Sequence, residues 1–575
     1  MSDQRQRTLA IVLLSCVMVV LVALGGRLVY VKATYSDKLL ASSHKQRAGR
    51  SVIPARRGSI LDCRGRVLAT SRRMPDVFVD AALVKDRKKV ADVLASRLNL
   101  SAERIEKKLK DKPKSRFITI ARRVDHITAD AVKELHLSSV GLLDQEVRDY
   151  PLGESMAHVL GFVGREGNGQ EGLELAFNDQ LAGKNGKRLT VRDARRRALR
   201  YGDAAPQPPV DGNHLVLTLD AEIQRITEES LADSIAEFSA ESGVAIVMDP
   251  TNASVLAMCS IPTFDPRDPG SSPSGDRRNR CVTDPTEPGS TFKPIIASEA
   301  IAGKFVSRTE RINTHNGIYR IGSRRIIDTK PFADLDLRGI ITHSSNIGMS
   351  IIATRMGNPT LHETIRRFGF GALTGIECPG ENRGLVRPLK KWTSLTTASV
   401  SFGYEISVTP IQLITSFAAL FNDGWLLKPH VVKAIVGPDG QVVTSYDNPE
   451  VVRRVVSAEV ANYLTKDLMR SVVTNGGGRR AKIPGYAVAG KTGTAKLLYK
   501  DRGQYESGAY MGAFVGAAPI EDPRIVVLVM IRRPDASKGY YGGKISAPAV
   551  ARIISRTLAY MDVPRDDVIA DRTTN

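Results

Sequence analysis

Three short clusters hold residue types that could do chemistry together. The first is Glu287-Pro288-Gly289-Ser290-Thr291-Phe292-Lys293-Pro294. Pro288-Gly289 breaks the chain and the apolar run Ile295–Ile301 follows. That pattern places Ser290 at the start of a helix, with Lys293 three residues on along the same face. A serine hydroxyl becomes a competent nucleophile when a neighbouring base takes its proton. A lysine can be that base once its pKa falls from about 10.4, through desolvation or a second cation nearby. The helix N-terminus would stabilise developing negative charge. The second cluster, Ser344-Ser345-Asn346, follows the helical stretch Leu337–His343. It offers a hydroxyl to relay a proton and a carboxamide to hold a substrate amide. The third, Gly490-Lys491-Thr492-Gly493-Thr494, has strand character. Lys491 supplies a second cation, and Thr492 and Thr494 supply hydroxyls. Gly490 and Gly493 leave room for another backbone, so an extended peptide could add to the strand edge.

Taken singly, each cluster also reads as ordinary structure: an N-cap serine, a polar helix C-terminus, a strand-end turn. Order and spacing decide for chemistry. S-x-x-K, then S-x-N about fifty residues later, then K-T-G about 145 residues after that, is hard to produce by chance.

The elements that must position these clusters fall into two textures. Ala55–Ser71 reads as a strand, a turn at Arg64-Gly65 and another strand. Asp86–Leu98 has helical apolar spacing at Val90, Val93, Leu94 and Leu98. Ser101 and Thr128 are expected to cap the next two helices, with a strand at Arg116–Val124 between them. Gly161–Glu174 carries five glycines without the dinucleotide-binding pattern and reads as a turn region. The Pro/Gly-rich stretch Tyr201–Gly212 marks a domain boundary. Beyond it come a strand and helix at Leu215–Phe238, and two strands in Gly243–Met258. Helices fill the middle. Three successive strands begin at Tyr486, and a last amphipathic helix spans Ala547–Met561. Strand-helix, helices, then consecutive strands predict an α+β fold, an antiparallel sheet covered by helices.

The chain has 575 residues, 42% of them hydrophobic, and a net charge of +21. Normal apolar content and the absence of a short repeat exclude a globally disordered, collagen-like or low-complexity chain. Five separated cysteines exclude a disulfide scaffold and give no zinc pair. His362-Glu363 begins like a zinc-protease motif, but Arg366 stands where the second histidine belongs. From Thr8 to Gly26 no residue is charged, a run near the lower limit for spanning a bilayer core of about 30 Å. Leu28–Val31 extend it past Arg27, beyond the weak processing sites at Ala23-Leu24-Gly25 and at Cys16, so an uncleaved anchor is expected. The catalytic clusters favour N-terminus inside and bulk outside. A pI near 9.7, with its densest basic run at Lys187–Arg200, then reads as a solvated face or one directed at anionic lipid or wall surfaces. No motif supports nucleic acid as a partner.

S-x-x-K, S-S-N and K-T-G, in this order, resemble the signature of penicillin-binding proteins. With Arg56–Gly65 (RRGSILDCRG), Gly169–Glu174 (GQEGLE), Asn279-Arg280 and Ser401–Leu413 (SFGYEISVTPIQL), the chain is identified as a class B penicillin-binding protein along nearly its whole length. Ser401-Phe402-Gly403-Tyr404 and Tyr540-Tyr541-Gly542-Gly543 look more like division-type (septal) members than elongation-type ones. It departs from the family pattern at Cys63, Ala253, Thr286 and Glu405.

The resemblance implies a transmembrane anchor, an elongated α+β pedestal, and a transpeptidase domain with an antiparallel sheet flanked by helices plus a helical subdomain. The expected boundaries are a cytoplasmic tail (1–8), an anchor (9–31), a linker (32–51), a pedestal (52–205), a connection (206–242), a transpeptidase domain (243–562) and a polar tail (563–575). It implies a peptidoglycan D,D-transpeptidase of the cytoplasmic membrane, working outside it without cofactor or metal. Ser290 would attack the carbonyl between two D-alanines. Lys293 would be the base, its pKa lowered by Lys491. Ser344 would relay the proton and Asn346 hold the donor amide. Backbone N–H groups of Ser290 and Thr494 would form the oxyanion hole. Thr492, Gly493 and Thr494 would bind the substrate, the two threonines taking its terminal carboxylate. Implied partners are stem peptides, β-lactams, the membrane, a SEDS-family glycan polymerase and other divisome proteins. Competing readings are an elongation-type transpeptidase, a membrane-bound β-lactamase, and a β-lactam sensor or scaffold.

Overall fold

The structure is a computed structural model that describes residues 2–192, 198–201, 207–322, 324–498 and 504–566. Parts of the basic run Lys187–Arg200, of the boundary at Tyr201–Gly212 and of the polar tail lie outside the described residues. The chain divides into two compact units, 1–56 with 183–211, and 57–182 with 212–575.

The first unit holds one long helix, Ser2–Arg47, and a three-stranded sheet of Ala48–Ile53, Gly186–Arg192 and Ala198–Tyr201. Helix continues through most of the stretch expected as a linker. Its segment Gln4–Tyr35 is 32 residues long and apolar enough to cross a membrane. At about 1.5 Å per residue it exceeds the hydrocarbon thickness of a bilayer.

In the second unit, residues 57–182 form a mixed sheet with small helices. The long strand Val67–Val79 pairs with Val140–Asp149 along ten positions. Helices Arg87–Leu98 and Ala102–Asp111 start at Asp86 and Ser101, whose side chains accept from Lys89 and Arg104 N–H. The next helix, His126–Lys133, is capped by Asp125 and not by Thr128. The Asp125 carboxylate takes both the N–H and the hydroxyl of Thr128, so the threonine is a donor in the first turn. The blocks Arg56–Gly65 and Gly169–Glu174 meet in a buried triad. Glu174 Oε2 accepts from Arg57 Nε at 2.6 Å, and Oε1 from Arg148 Nε at 2.6 Å. His214–Leu217 then joins this sheet to Val432–Val436.

The centre of the second unit is an antiparallel sheet of five strands: β1 (Ser242–Met248), β2 (Val255–Ile261), β3 (Ala489–Leu498), β4 (Tyr505–Ala518) and β5 (Ile525–Arg532), ordered β2-β1-β5-β4-β3. Every residue of β1, and of β5 up to Ile531, is buried, because both faces are covered. Successive strand side chains point to opposite faces. Ala245, Val247, Val527 and Val529 pack with Ile553, Ile554 and Leu558 of the C-terminal helix Ala547–Tyr560. Ile246, Met248, Val526 and Leu528 pack toward the helical side of the domain. That two-sided burial is why these strands read as continuous apolar runs. On the helical side lie α1 (Lys293–Ala302), α2 (Leu337–His343) and α3 (Asn346–Arg367). A hairpin of Ile318–Ile321 with Arg324–Ile327 precedes α2.

Candidate active site

Ser290 sits in a 3₁₀ turn, Gly289–Phe292, immediately before α1 and not within the helix itself. Two glycines shape that turn. Gly289 has φ +54° and donates its N–H to the Gly403 carbonyl at 3.1 Å. Gly403 has φ +83°, and a Cβ there would lie 2.1 Å from the Gly289 oxygen. On the other side, Gly493 of β3 leaves space that the Thr291 methyl occupies, 2.7 Å from where a Cβ would be. The Cβ direction of Gly490 is filled by the Phe514 ring, at 2.6 Å. The Cβ directions of these two strand glycines are thus filled by the protein's own turn and core. β3 is nonetheless the terminal strand of its sheet among the described residues.

The second cluster is a junction of helices. Ser344 takes a left-handed conformation, φ +58° and ψ +43°, after α2, a strained choice for a residue with a Cβ. Ser345 caps α3, its hydroxyl accepting from Gly348 N–H at 2.9 Å. Lys293 and Lys491 are both fully buried and converge on this junction. Lys293 Nζ donates to Ser344 O at 2.5 Å, Ser344 Oγ at 3.1 Å and Asn346 Oδ1 at 2.8 Å. Lys491 Nζ donates to the same Ser344 Oγ at 3.1 Å and to Thr492 O and Oγ1 at 3.1 and 3.3 Å.

Burial is the leading cause that holds the Lys293 ammonium well below the usual lysine range. The charge of Lys491 adds to it and Asp328 opposes it. Burial alone brings Lys491 down to about 7. The expected repulsion between the lysines is present, with desolvation ahead of it.

The structure thus brings together Lys293, Ser344, Asn346, Lys491 and Thr492. Ser290 lies one turn before Lys293, whose hydrogen bonds among the described residues go to Ser344 and Asn346. Thr494 lies against the Gly289–Phe292 turn, its carbonyl oxygen 2.9 Å from where a Gly289 Cβ would be. Its hydroxyl accepts from Gly542 N–H at 3.2 Å. Among the described residues no cluster of side chains could hold a metal ion.

Sequence reasoning missed two carboxyl groups. Asp328 binds the Ser345–Ile347 turn and carries no motif around it. Glu287, the first residue of its cluster, accepts from Glu405 N–H at 2.8 Å and from the Tyr505 hydroxyl at 3.1 Å. Burial raises the Glu287 carboxyl, while those hydrogen bonds pull it down.

Residues 243–555 match the family of the penicillin binding protein transpeptidase domain, and residues 52–217 that of the penicillin-binding protein dimerisation domain. The chain belongs to the class B penicillin-binding proteins. The "Probable peptidoglycan D,D-transpeptidase PenA" of Neisseria meningitidis is 34% identical over 515 residues, 89% of this chain and 85% of that one. The "Peptidoglycan D,D-transpeptidase FtsI" of Escherichia coli K12 is 32% identical over 563 residues, 96% of this chain and 92% of that one. Among solved structures, penicillin binding protein 3 of Mycobacterium tuberculosis complexed with ampicillin matches with a TM-score of 0.70 at 28% identity. That match covers 90% of this chain and 97% of that one.

The four departures from the penicillin-binding protein pattern sit in definite surroundings. Glu405 adopts φ +60°, and its carboxylate accepts from Arg324 at 3.2 Å and Arg387 at 3.3 Å. Left-handed strain of about 1–2 kcal/mol is thereby coupled to an ion-paired clasp between the hairpin and the loop that carries Gly403. Cys63 points at Asp220, 3.7 Å away, and burial pushes its thiol up to about 11. Ala253 is left-handed, φ +58°. Thr286 pairs with Val408 in an isolated antiparallel bridge.

Proposed function

We propose that this penicillin-binding protein is a peptidoglycan D,D-transpeptidase that cross-links stem peptides through an acyl-enzyme on Ser290 during septal wall synthesis. The observation that carries the reading is the pair of buried lysines sharing one serine hydroxyl. That arrangement keeps one amine neutral near neutral pH, and a neutral amine can take a proton from a serine.

In the proposed cycle Lys293 accepts the Ser290 proton as Oγ attacks the carbonyl between the terminal D-alanines. Backbone N–H groups of Ser290 and Thr494 stabilise the oxyanion; one such donor is worth about 3 kcal/mol. The C–N bond breaks, and Ser344 passes a proton to the departing D-alanine. Asn346 gives up its contact with Lys293 to hold the donor amide. Thr492 and Thr494, with Lys491, take the terminal carboxylate. Gly493 keeps the strand close to the nucleophile turn. An amine from a second stem peptide then attacks the ester, forms the cross-link and returns the proton to Ser290. A β-lactam follows the first half of this cycle and stops at the acyl-enzyme.

The segment Gln4–Tyr35 is assigned as a single-pass anchor of the cytoplasmic membrane, N-terminus inside, with the pedestal (52–205) and transpeptidase domain (243–562) outside. A glycan polymerase of the SEDS family and other division proteins are the expected partners. The septal assignment rests on Ser401–Tyr404 and Tyr540–Gly543 and on likeness to the protein named FtsI. Fluorescent penicillin labelling tests the chemistry: the wild type is expected to label and Ser290→Ala to stay dark. Equal labelling of both would overturn the site. A tagged copy is expected to gather at the division plane.

A further inference from the structure

Beside β3 the site has a rim that the proposed cycle leaves unused. Two glycines from separate segments border Thr492. A Cβ on Gly543 would lie 2.1 Å from Gly477 O and 3.3 Å from the Thr492 methyl, and one on Gly477 would lie 3.8 Å from Thr492 Oγ1. Both segments run from their glycine into cations. Arg479 and Arg480 open the 3₁₀ turn Arg479–Ala481, and Lys544 lies in the short helix Gly542–Ile545. The segments meet there, with Arg480 Nη1 3.5 Å from Lys544 O. All three side chains are exposed. The hydrogen bonds of Arg480 and Lys544 among the described residues go to carbonyls, those of Lys544 and Lys538 respectively. Among those residues no carboxylate pairs with Arg479, Arg480 or Lys544. The arginines near the Gly403 loop are by contrast neutralised, since Arg324 and Arg387 both pair with Glu405. The rim by Thr492 therefore carries positive charge that no carboxylate of the described residues answers.

The second half of the proposed cycle brings an anion to this side. D-alanine leaves with its carboxylate on Thr492, Thr494 and Lys491, so the amine that replaces it must reach the same ester carbonyl from the space D-alanine vacates. Its nitrogen bonds to the carbonyl carbon, the bond to Ser290 Oγ breaks, and the amine proton returns to Oγ. The rest of the second stem peptide then lies past Thr492, over the rim. We propose that Arg480, backed by the charges of Arg479 and Lys544, is a specificity-determining residue of this acceptor step, which holds a carboxylate of the second stem peptide while its amine resolves the acyl-enzyme. This inference rests on the transpeptidase reading and deepens it by naming the acceptor class, a peptide whose carboxylates are free rather than amidated. A guanidinium offers the planar pair of N–H donors that a carboxylate accepts, and the neighbouring cations raise the local potential. Water gains nothing from the rim, so the rim favours cross-linking over hydrolysis.

The test uses the full-length protein with an N-acyl-D-alanyl thioester as donor. The acceptors are free D-alanine, a soluble stem peptide with its carboxylates free, and the same peptide with them converted to carboxamides. Chromatography measures the amide product formed with each. D-alanine is too short to reach the rim and serves as the reference. In Arg480→Gln the rate with the free-acid peptide relative to D-alanine is expected to fall about fivefold, the scale of one exposed ion pair, and further once Arg479→Gln is added. The preference for the free acid over the carboxamide should fall by the same factor, fall further in Arg480→Glu, and largely return in Arg480→Lys. Each value is a ratio within one protein sample, so a loss of folded enzyme cancels. A merely structural part for Arg480 would slow all three acceptors alike and leave the ratios in place. Ratios in Arg480→Gln equal to those of wild type overturn the inference. Product formation by Ser290→Ala in the same assay separates the two levels. An inert Ser290→Ala with unmoved ratios in Arg480→Gln refutes only the rim. An active Ser290→Ala refutes the reading beneath it.

Discussion

Replacing Lys491 by methionine keeps most of the side-chain volume and removes one buried charge, so it isolates what that charge does to Lys293. Both ammonium nitrogens lie 3.1 Å from Ser344 Oγ, so they are no more than about 6 Å apart. At an effective dielectric of about 20, like charges at that distance repel by roughly 3 kcal/mol, about two pKa units. Lys491 itself titrates at about 7, so the repulsion acts in full below that pH and fades above it, and the pair loses its protons in two linked steps. In Lys491→Met the acidic limb of penicillin acylation is expected to rise by one to two units, with weaker binding because a carboxylate partner is gone. The same substitution has a signature in stability. The folded value of Lys491 lies below the unfolded value of about 10.4, so between the two the unfolded chain holds more protons and stability rises with pH. The wild type should therefore gain more stability than Lys491→Met between pH 7 and 9, a window in which each unit is worth up to about 1.4 kcal/mol. Rapid-mixing fluorescence and urea titration at the two pH values read both effects. An acidic limb that stays in place would refute the coupled-lysine account.

Gly403→Ala is expected to cut acylation by at least about 100-fold while leaving most of the fold intact, because a Cβ would overlap the Gly289 carbonyl and displace the Ser290 turn; acylation kinetics with circular dichroism check it. Glu174→Gln should destabilise the protein by about 3–5 kcal/mol, since Arg57 and Arg148 would remain buried without a counter-charge. A urea midpoint equal to wild type would contradict that. Glu405→Gly removes the left-handed strain together with the clasp on Arg324 and Arg387. The loop that carries Gly403 and Glu405 is expected to become more open to protease, which limited proteolysis with mass spectrometry would show.

The parts of the site that sequence shows are those whose chemistry sits in a few consecutive residues. Ser290 and Lys293, Ser344 and Asn346, and Lys491 to Thr494 carry their own spacing, and the strand runs at β1 and β5 carry their burial. Asp328 could not be read in this way. A lone aspartate in a loop is indistinguishable from any solvated loop residue until the fold brings it under α3. The leading role of burial in the lysine shifts was hidden for the same reason: sequence shows that two cations are near, but not that water is excluded from both. The cap of the His126 helix was misread because Asp125 and Thr128 both suit a helix start, and only the direction of their hydrogen bond separates them.

The shared hydroxyl at Ser344 also dictates which way a proton can flow. A serine oxygen has two lone pairs and one hydrogen. While Lys293 and Lys491 are both ammonium, each fills one lone pair of Ser344 Oγ, and the serine hydrogen must point away from both. Once Lys293 is neutral it offers a lone pair of its own, and the hydroxyl can swing round to donate to it. The rotor therefore has two settings, chosen by the protonation of a neighbour. In the first it is an outward donor, which in the proposed cycle would hand a hydrogen to a leaving amine. In the second it faces inward and gives nothing away, so on that proposal a leaving group would be supplied with a proton only after Lys293 has collected one.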